Sequence, residues 1–173
     1  MFEGKKVRLV PYSKKHFEDT LKWVNDAYIA VRVNRVLPVT ASEHLDWYEH
    51  IVKDKSQIIF AIELKADGTY AGNCGLKNID NRSHKAELWI YLGNEFANQG
   101  LGKDATKLLL DYGFDFLNLN RIYLYIVENN KIAEKLYESC GFKKEGLCRE
   151  DVFMEGNYYD TVWMGLLKEE YKK

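Results

Sequence analysis

The stretch "FANQGLGKDATKLLLDYGF", residues 96 to 114, carries the decision about this chain. Gly100 and Gly102 stand directly ahead of a segment whose apolar residues fall at Leu101, Ala105, Leu108, Leu109, Tyr112 and Phe116. That spacing follows one face of an α-helix, so a glycine turn opens a helix here. The first N–H groups of a helix have no partner within it, and the aligned peptide dipoles leave partial positive charge at that end. Glycine lets backbone approach a ligand with no Cβ in the way, which suits a phosphate or pyrophosphate. A plain turn before a core helix carries the same letters. The rest of the chain must separate the two.

The 173 residues suit a single domain, residues 1 to 173, with a sizeable core. Net charge is −1, from 25 Lys plus Arg against 26 Asp plus Glu, so no overall field recruits nucleic acid or an anionic membrane. Three cysteines (Cys74, Cys140, Cys148) form no C-x-x-C pair, and the four histidines (His16, His44, His50, His84) show no metal-ligand spacing. No metal is expected. No apolar run reaches the ~18 residues that span a bilayer, and the start "MFEGKKVRLV" lacks a signal peptide's apolar core. These features predict a cytoplasmic protein with no membrane partner.

Along the chain, "KKVRLVPY" reads as a strand and "SKKHFEDTLKWVND" as a helix capped by Ser13. "TASEHLDWYEHIVKD" reads as a second helix, capped by Ser42, with Leu45, Tyr48, Ile51 and Val52 on its apolar face. Three strands follow, "IIFAIEL", "TYAGNCGLKNI" and "KAELWIYL", joined by short turns that imply an antiparallel meander. After the glycine-led helix come the strand "RIYLYIV" and the helix "NNKIAEKLYESCGF", which Asn130 caps and Gly141 ends. "CREDVFMEGNYYDTVWMGLL" then reads as a hairpin turning at "EGN". The order predicts an α+β fold, a mixed and mostly antiparallel sheet with helices on both faces. A Rossmann unit does not fit, because antiparallel strands precede the turn and Ala105 holds the third glycine position. A P-loop would need G-K-[ST], which is absent.

Two signatures stand in this chain. Q/R-x-x-G-x-G/A is matched by Gln99, Gly100, Leu101, Gly102 and Lys103, with Asp104 replacing the last small residue. N-x-x-A-x-x-L-Y-x-x-x-G-F is matched in full by Asn130, Ala133, Leu136, Tyr137, Gly141 and Phe142, about 30 residues on. With these motifs the chain resembles the GCN5-related N-acetyltransferases, in particular the branch of ribosomal-protein N-terminal, spermidine and amino-sugar acetyltransferases. The resemblance implies acetyl-coenzyme A as co-substrate. Asn98, Gln99, Gly100, Leu101, Gly102 and Lys103 would serve its pyrophosphate, Ile90, Tyr91 and Leu92 would pair with the pantetheine arm as an added strand does, and Asn130 would hydrogen-bond that arm. A carboxylate pointing inward at Asp104 would repel the pyrophosphate, so Asp104 is expected to face solvent.

The implied chemistry is direct transfer of acetyl from the thioester to a primary amine, with no covalent enzyme intermediate. A lysine-like amine of pKa ~10.4 sits ~3.4 units from neutrality at pH 7, a deficit of ~4.6 kcal/mol, while the thiol leaving group has a pKa of only ~8.5. Deprotonation should therefore weigh more than acid catalysis if the amine is strongly basic, whereas an α-amine near ~8 owes little more than ~1 kcal/mol. Tyr137 holds the family's position for the general acid, although it also falls on its helix's apolar face. For the base, alternation in "KAELWIYL" sets Glu87, Trp89 and Tyr91 on one face, where a carboxylate between aromatics can take a proton or orient a substrate.

The acceptor, an amine-bearing small molecule or a protein N-terminus, is open. Trp23, Tyr28, Arg32, Arg35, Trp47, Tyr158 and Tyr159 are the candidates for its wall, and Asp26, Glu43, Asp46 and Glu49 keep a polyamine in view. A homodimer is one assembly the resemblance allows. The alternative to an enzyme is a protein that binds acetyl-coenzyme A as a sensor or scaffold.

Overall fold

The computed structural model describes residues 2 to 27, 29 and 38 to 172. Tyr28, Arg32 and Arg35 lie outside the described residues. In chain order the elements are β1 (Phe2–Glu3), β2 (Val7–Pro11), a 3-10 turn (Lys14–His16), α1 (Phe17–Val24), α2 (Ala41–Ile51), β3 (Ile58–Leu64), β4 (Tyr70–Asp80) and β5 (Lys85–Leu92). A second 3-10 turn (Asn94–Phe96) leads to α3 (Leu101–Asp111) and a π-helical stretch (Tyr112–Phe116). β6 (Arg121–Val127), α4 (Lys131–Glu138), β7 (Lys143–Met154), β8 (Asn157–Leu167) and α5 (Lys168–Tyr171) complete the described chain.

The eight strands make one sheet in the order β1-β2-β3-β4-β5-β6-β8-β7. Every neighbouring pair is antiparallel except β5 with β6. This is the expected α+β class. Alternation along β3 divides the core between the faces. Phe60 and Ile62 join Leu76, Leu88, Leu101, Leu109, Phe114 and Tyr137, which brings α3 and α4 onto one face. Ala61 joins Val10 and Tyr12, against which Phe17 of α1 and Trp47 and Tyr48 of α2 pack, on the other.

Helix α2 departs from expectation at both ends. Thr40, not Ser42, is the cap: its hydroxyl accepts the N–H of Glu43 at 3.2 Å, and the Glu43 carboxylate accepts the N–H of Thr40 at 2.7 Å. This is the reciprocal T-x-x-E box, which satisfies two orphan donors at once. Val52, expected on the apolar face, is exposed, while His44 is buried with its ring nitrogen 2.9 Å from the Tyr12 hydroxyl. A hydrogen-bonded partner makes histidine an acceptable interior residue there. The closing hairpin turns at Glu155 and Gly156, both at positive φ (48° and 82°), as a two-residue hairpin turn requires.

The main core can be tested at Phe114, which is fully buried beyond the end of α3. Phe114→Ala should lower unfolding free energy by about 3 to 5 kcal/mol in denaturant titration. A loss below about 1 kcal/mol would mean the site collapses freely and the core is not close-packed there.

Candidate active site

The site begins where two strands stop pairing. β5 and β6 share only three parallel rungs, Lys85 with Arg121, Ala86 with Ile122 and Glu87 with Tyr123. Beyond Glu87 each strand stays with its outer neighbour, β5 with β4 up to Leu92 and β6 with β8 up to Val127. The inner edges therefore part and leave a wedge in the middle of the sheet. Ile90, Tyr91 and Leu92 lie on this unpaired edge, whose backbone can take an extended guest as an additional strand.

Helix α3 starts just past the wedge. Asn98 and Gly100 both have positive φ (58° and 76°), and Gly100 is the residue before the first helical turn. Among the described residues, no hydrogen bond within the protein takes the backbone N–H of Asn98, Gln99, Gly100, Leu101, Gly102 or Lys103. The last three open the helix, where such donors are intrinsically free. A Cβ on Gly102 would lie 3.5 Å from Leu136 of α4 and 3.8 Å from Leu92 of β5, so this glycine faces the passage between helix start and wedge. Lys103 is exposed, and Leu101 is buried, offering the loop only its backbone.

Asp104 is not turned to solvent as expected. It is partly buried, and its carboxylate accepts the backbone N–H groups of Lys5 (3.2 Å), Lys6 (2.7 Å) and Val7 (3.0 Å). Three donors offset its charge on the side of the helix facing β2. Asp104, which stands in the last place of the glycine signature, is thus engaged with the strap before β2.

Asn130 caps α4, its side-chain oxygen accepting the N–H of Ala133 at 3.2 Å. It also lines a groove of about 400 Å³ with Val127, Met154, Glu155 and Tyr159, at the open end of β6 beside the hairpin tip. Tyr137 is buried on α4, its ring edge-on to Phe142 at 5.7 Å. Burial raises its phenol above the usual tyrosine range, and the neighbouring thiols of Cys140 and Cys74 add to the effect. Cys74 faces Ile90 across β4 and β5, which sets Tyr137 against the helix face of the wedge.

Glu87 lies at the last shared rung, on the opposite face. It is buried, and its carboxylate is 2.9 Å from the Lys77 ammonium and accepts the Asn78 amide N–H at 2.9 Å. Lys77 is its cross-strand partner, and Asn78 reaches it from a positive φ of 52° in the irregular part of β4. The sequence reading missed both partners, because the irregularity hides the register. Aromatic rings line the same face: Trp89 stacks on Tyr91, and Trp163 of β8 stacks on both Tyr123 and Tyr125 of β6. The Trp163 indole N–H is buried without a partner, and the Tyr91 hydroxyl receives the Asn73 amide N–H at 2.7 Å.

Other acceptor-side candidates are occupied with the fold. Trp23 packs on Tyr70 and against Gly93, Trp47 on Tyr12 and His44, and Glu43 caps α2. Asp26 receives the Asn94 side-chain amide, while Asp46 and Glu49 are exposed. Tyr158 is exposed at the hairpin, leaving Tyr159 as the member of that pair in the groove. Among the described residues, no group of three or more His, Cys, Asp or Glu side chains is arranged to hold a metal ion. No described helix is long and apolar enough to cross a membrane.

A sheet wedged open beside a helix start with free amides has room for an extended, anionic guest. The chain belongs to the GNAT acetyltransferases: the acetyltransferase (GNAT) domain model matches residues 6 to 143. It is 33% identical over 126 residues to the spermidine N(1)-acetyltransferase of Escherichia coli K12, covering 73% of this chain and 67% of that protein. It is 38% identical over 112 residues to the uncharacterized N-acetyltransferase p20 of Bacillus licheniformis, covering 65% of this chain and 63% of that one. The solved spermidine N-acetyltransferase of Vibrio cholerae, in complex with CoA and spermine, superposes with a TM-score of 0.92 at 26% identity, covering 96% of this chain and 98% of that chain. The protein is therefore an acetyltransferase.

The burial of Tyr137 has a spectroscopic consequence. In ultraviolet pH titration of the folded protein, wild type and Tyr137→Phe should give the same phenolate absorbance up to about pH 11, past the ~10 of an ordinary tyrosine. An extra phenolate in wild type near pH 10 would contradict this environment.

Proposed function

We propose that the protein transfers acetyl from acetyl-coenzyme A directly to a primary amine. The observation that carries this reading is the run of unclaimed amides at residues 98 to 103, at a helix start whose Gly102 lies near Leu92 on the unpaired strand edge. In this reading the amides of residues 98 to 103 hold the diphosphate, with Lys103 adding a cation, and Ile90, Tyr91 and Leu92 pair with the pantetheine arm. Asn130, whose oxygen is used by its own helix, offers its amide N–H to that arm.

The wedge then separates two jobs by face. Tyr137, kept protonated by burial, supplies the proton to the departing thiolate from the α4 side. Glu87 receives the amine's proton from the aromatic side, directly or through a water. The ammonium of Lys77 already rests on this carboxylate, so an acceptor ammonium that reaches Glu87 does so in competition with Lys77. The aromatic rings around it favour an alkylammonium through their negative faces. Because relatives are named as spermidine acetyltransferases, linear polyamines are the first acceptors to try, followed by N-terminal peptides and amino sugars. A cytoplasmic location and a homodimer accompany this reading.

The test is release of free thiol from acetyl-coenzyme A in the presence of each amine. Wild type should turn over at least one class. Glu87→Gln should lower kcat/KM by roughly 10² to 10⁴ and by more than Tyr137→Phe, since removing the amine's proton is the costlier step. The reverse order would overturn the assignment of roles. Binding without turnover on any amine would leave a sensor in place of an enzymatic role.

A further inference from the structure

The N-terminal strap and the cofactor loop are tied together twice. Asp104, in the first turn of α3, gathers the backbone N–H groups of Lys5, Lys6 and Val7. In return, the Lys6 side chain crosses back and donates from its ammonium to the carbonyl of Gln99 at 2.6 Å. Asp104 thus fixes the backbone of Lys6, and Lys6 fixes the loop that leads into Asp104. The contacts close a ring through residues 99 to 104. Two glycines permit it. A Cβ on Gly4 would lie 2.5 Å from the Asp104 carboxylate, and one on Gly100 would lie 3.3 Å from the Lys6 ammonium.

We propose that Lys6 and Asp104 are positioning residues for the cofactor's diphosphate, a role that rests on the acetyl-coenzyme A reading given above. The argument turns on the planarity of one peptide bond. The carbonyl of Gln99 and the N–H of Gly100 belong to the same trans peptide and point in opposite directions. By drawing the carbonyl toward the strap, Lys6 aims the Gly100 N–H away from it, to the open side of the loop. The amide of Gly100 is one of those without a partner in the protein. Charge works the same way. An uncompensated carboxylate at a helix start would disfavour an anion there, whereas Asp104 spends its acceptors on strap amides and the Lys6 cation lies against the loop.

The experiment compares two donors, acetyl-coenzyme A and S-acetyl-pantetheine, which lacks the diphosphate and the nucleotide. With saturating amine, Lys6→Met should lower kcat/KM for acetyl-coenzyme A roughly tenfold, through KM, with kcat unchanged, as expected for a displaced binding loop. The same variant should leave kcat/KM for S-acetyl-pantetheine unchanged, and Lys6→Arg should recover most of the loss. Asp104→Asn should act in the same direction, and Lys6→Met carries the test should that variant fold poorly. Equal losses with both donors would make the ring merely structural and overturn the proposal, as would no loss with acetyl-coenzyme A. A wild type with no preference for acetyl-coenzyme A would instead bring down the diphosphate reading itself.

Discussion

The fold is organised around a pairing that stops. β5 and β6 lie side by side in parallel for three rungs and then follow different neighbours, β4 on one side and β8 on the other. A buried edge with unpaired backbone groups is costly in an ordinary sheet, because each donor or acceptor withdrawn from water needs a partner. Here the edge opens to a passage between the start of α3 and α4, where Gly102 leaves space. The same interruption sets Glu87 and Tyr137 on opposite faces of one gap, joined to it through Lys77 and through Cys74, both on β4.

Charge around the gap is arranged by direction more than by quantity. The chain's net charge is −1, and an acidic residue sits in the first turn of the helix proposed to bind an anion. What reconciles these facts is where the carboxylate points. Asp104 turns to the strap, where backbone amides surround it, and leaves the amides on the other side of the helix start unclaimed. Glu87 is matched by Lys77 in the same manner, so the burial of a carboxylate in an aromatic wall is offset by an adjacent cation.

Much of this was legible in the chain, for identifiable reasons. The apolar spacing after Gly100 marked α3 because a helical face repeats on a scale that one sequence displays, but Phe116, counted on the same face, is exposed at the end of the π-helical stretch that follows Asp111. "KAELWIYL" coincides with β5, Lys85–Leu92, because alternation and flanking turns bound it at both ends. Asn130 caps its helix as read. Contacts between distant segments were not legible: nothing in "EGKKV" announces that three of its amides will meet a carboxylate nearly 100 residues later. Asp104 was accordingly expected in solvent. The Lys77 contact was hidden for a related reason, since the irregularity near Asn78 breaks the count that would pair it with Glu87. At α2 the box from Thr40 to Glu43 was present in the sequence, and Ser42 merely competed for the same cap.

The proposition that unites fold and activity is that the amides of residues 98 to 103 are free in the protein alone and are taken by a diphosphate. Amide hydrogen exchange, followed residue by residue without and with coenzyme A, examines this most directly. The account predicts rapid exchange at these positions in the free protein and marked slowing when coenzyme A is present, with α3 beyond Asp104 already protected in both. Slow exchange at 98 to 103 before any ligand is added, or rates there that coenzyme A does not alter, would contradict it.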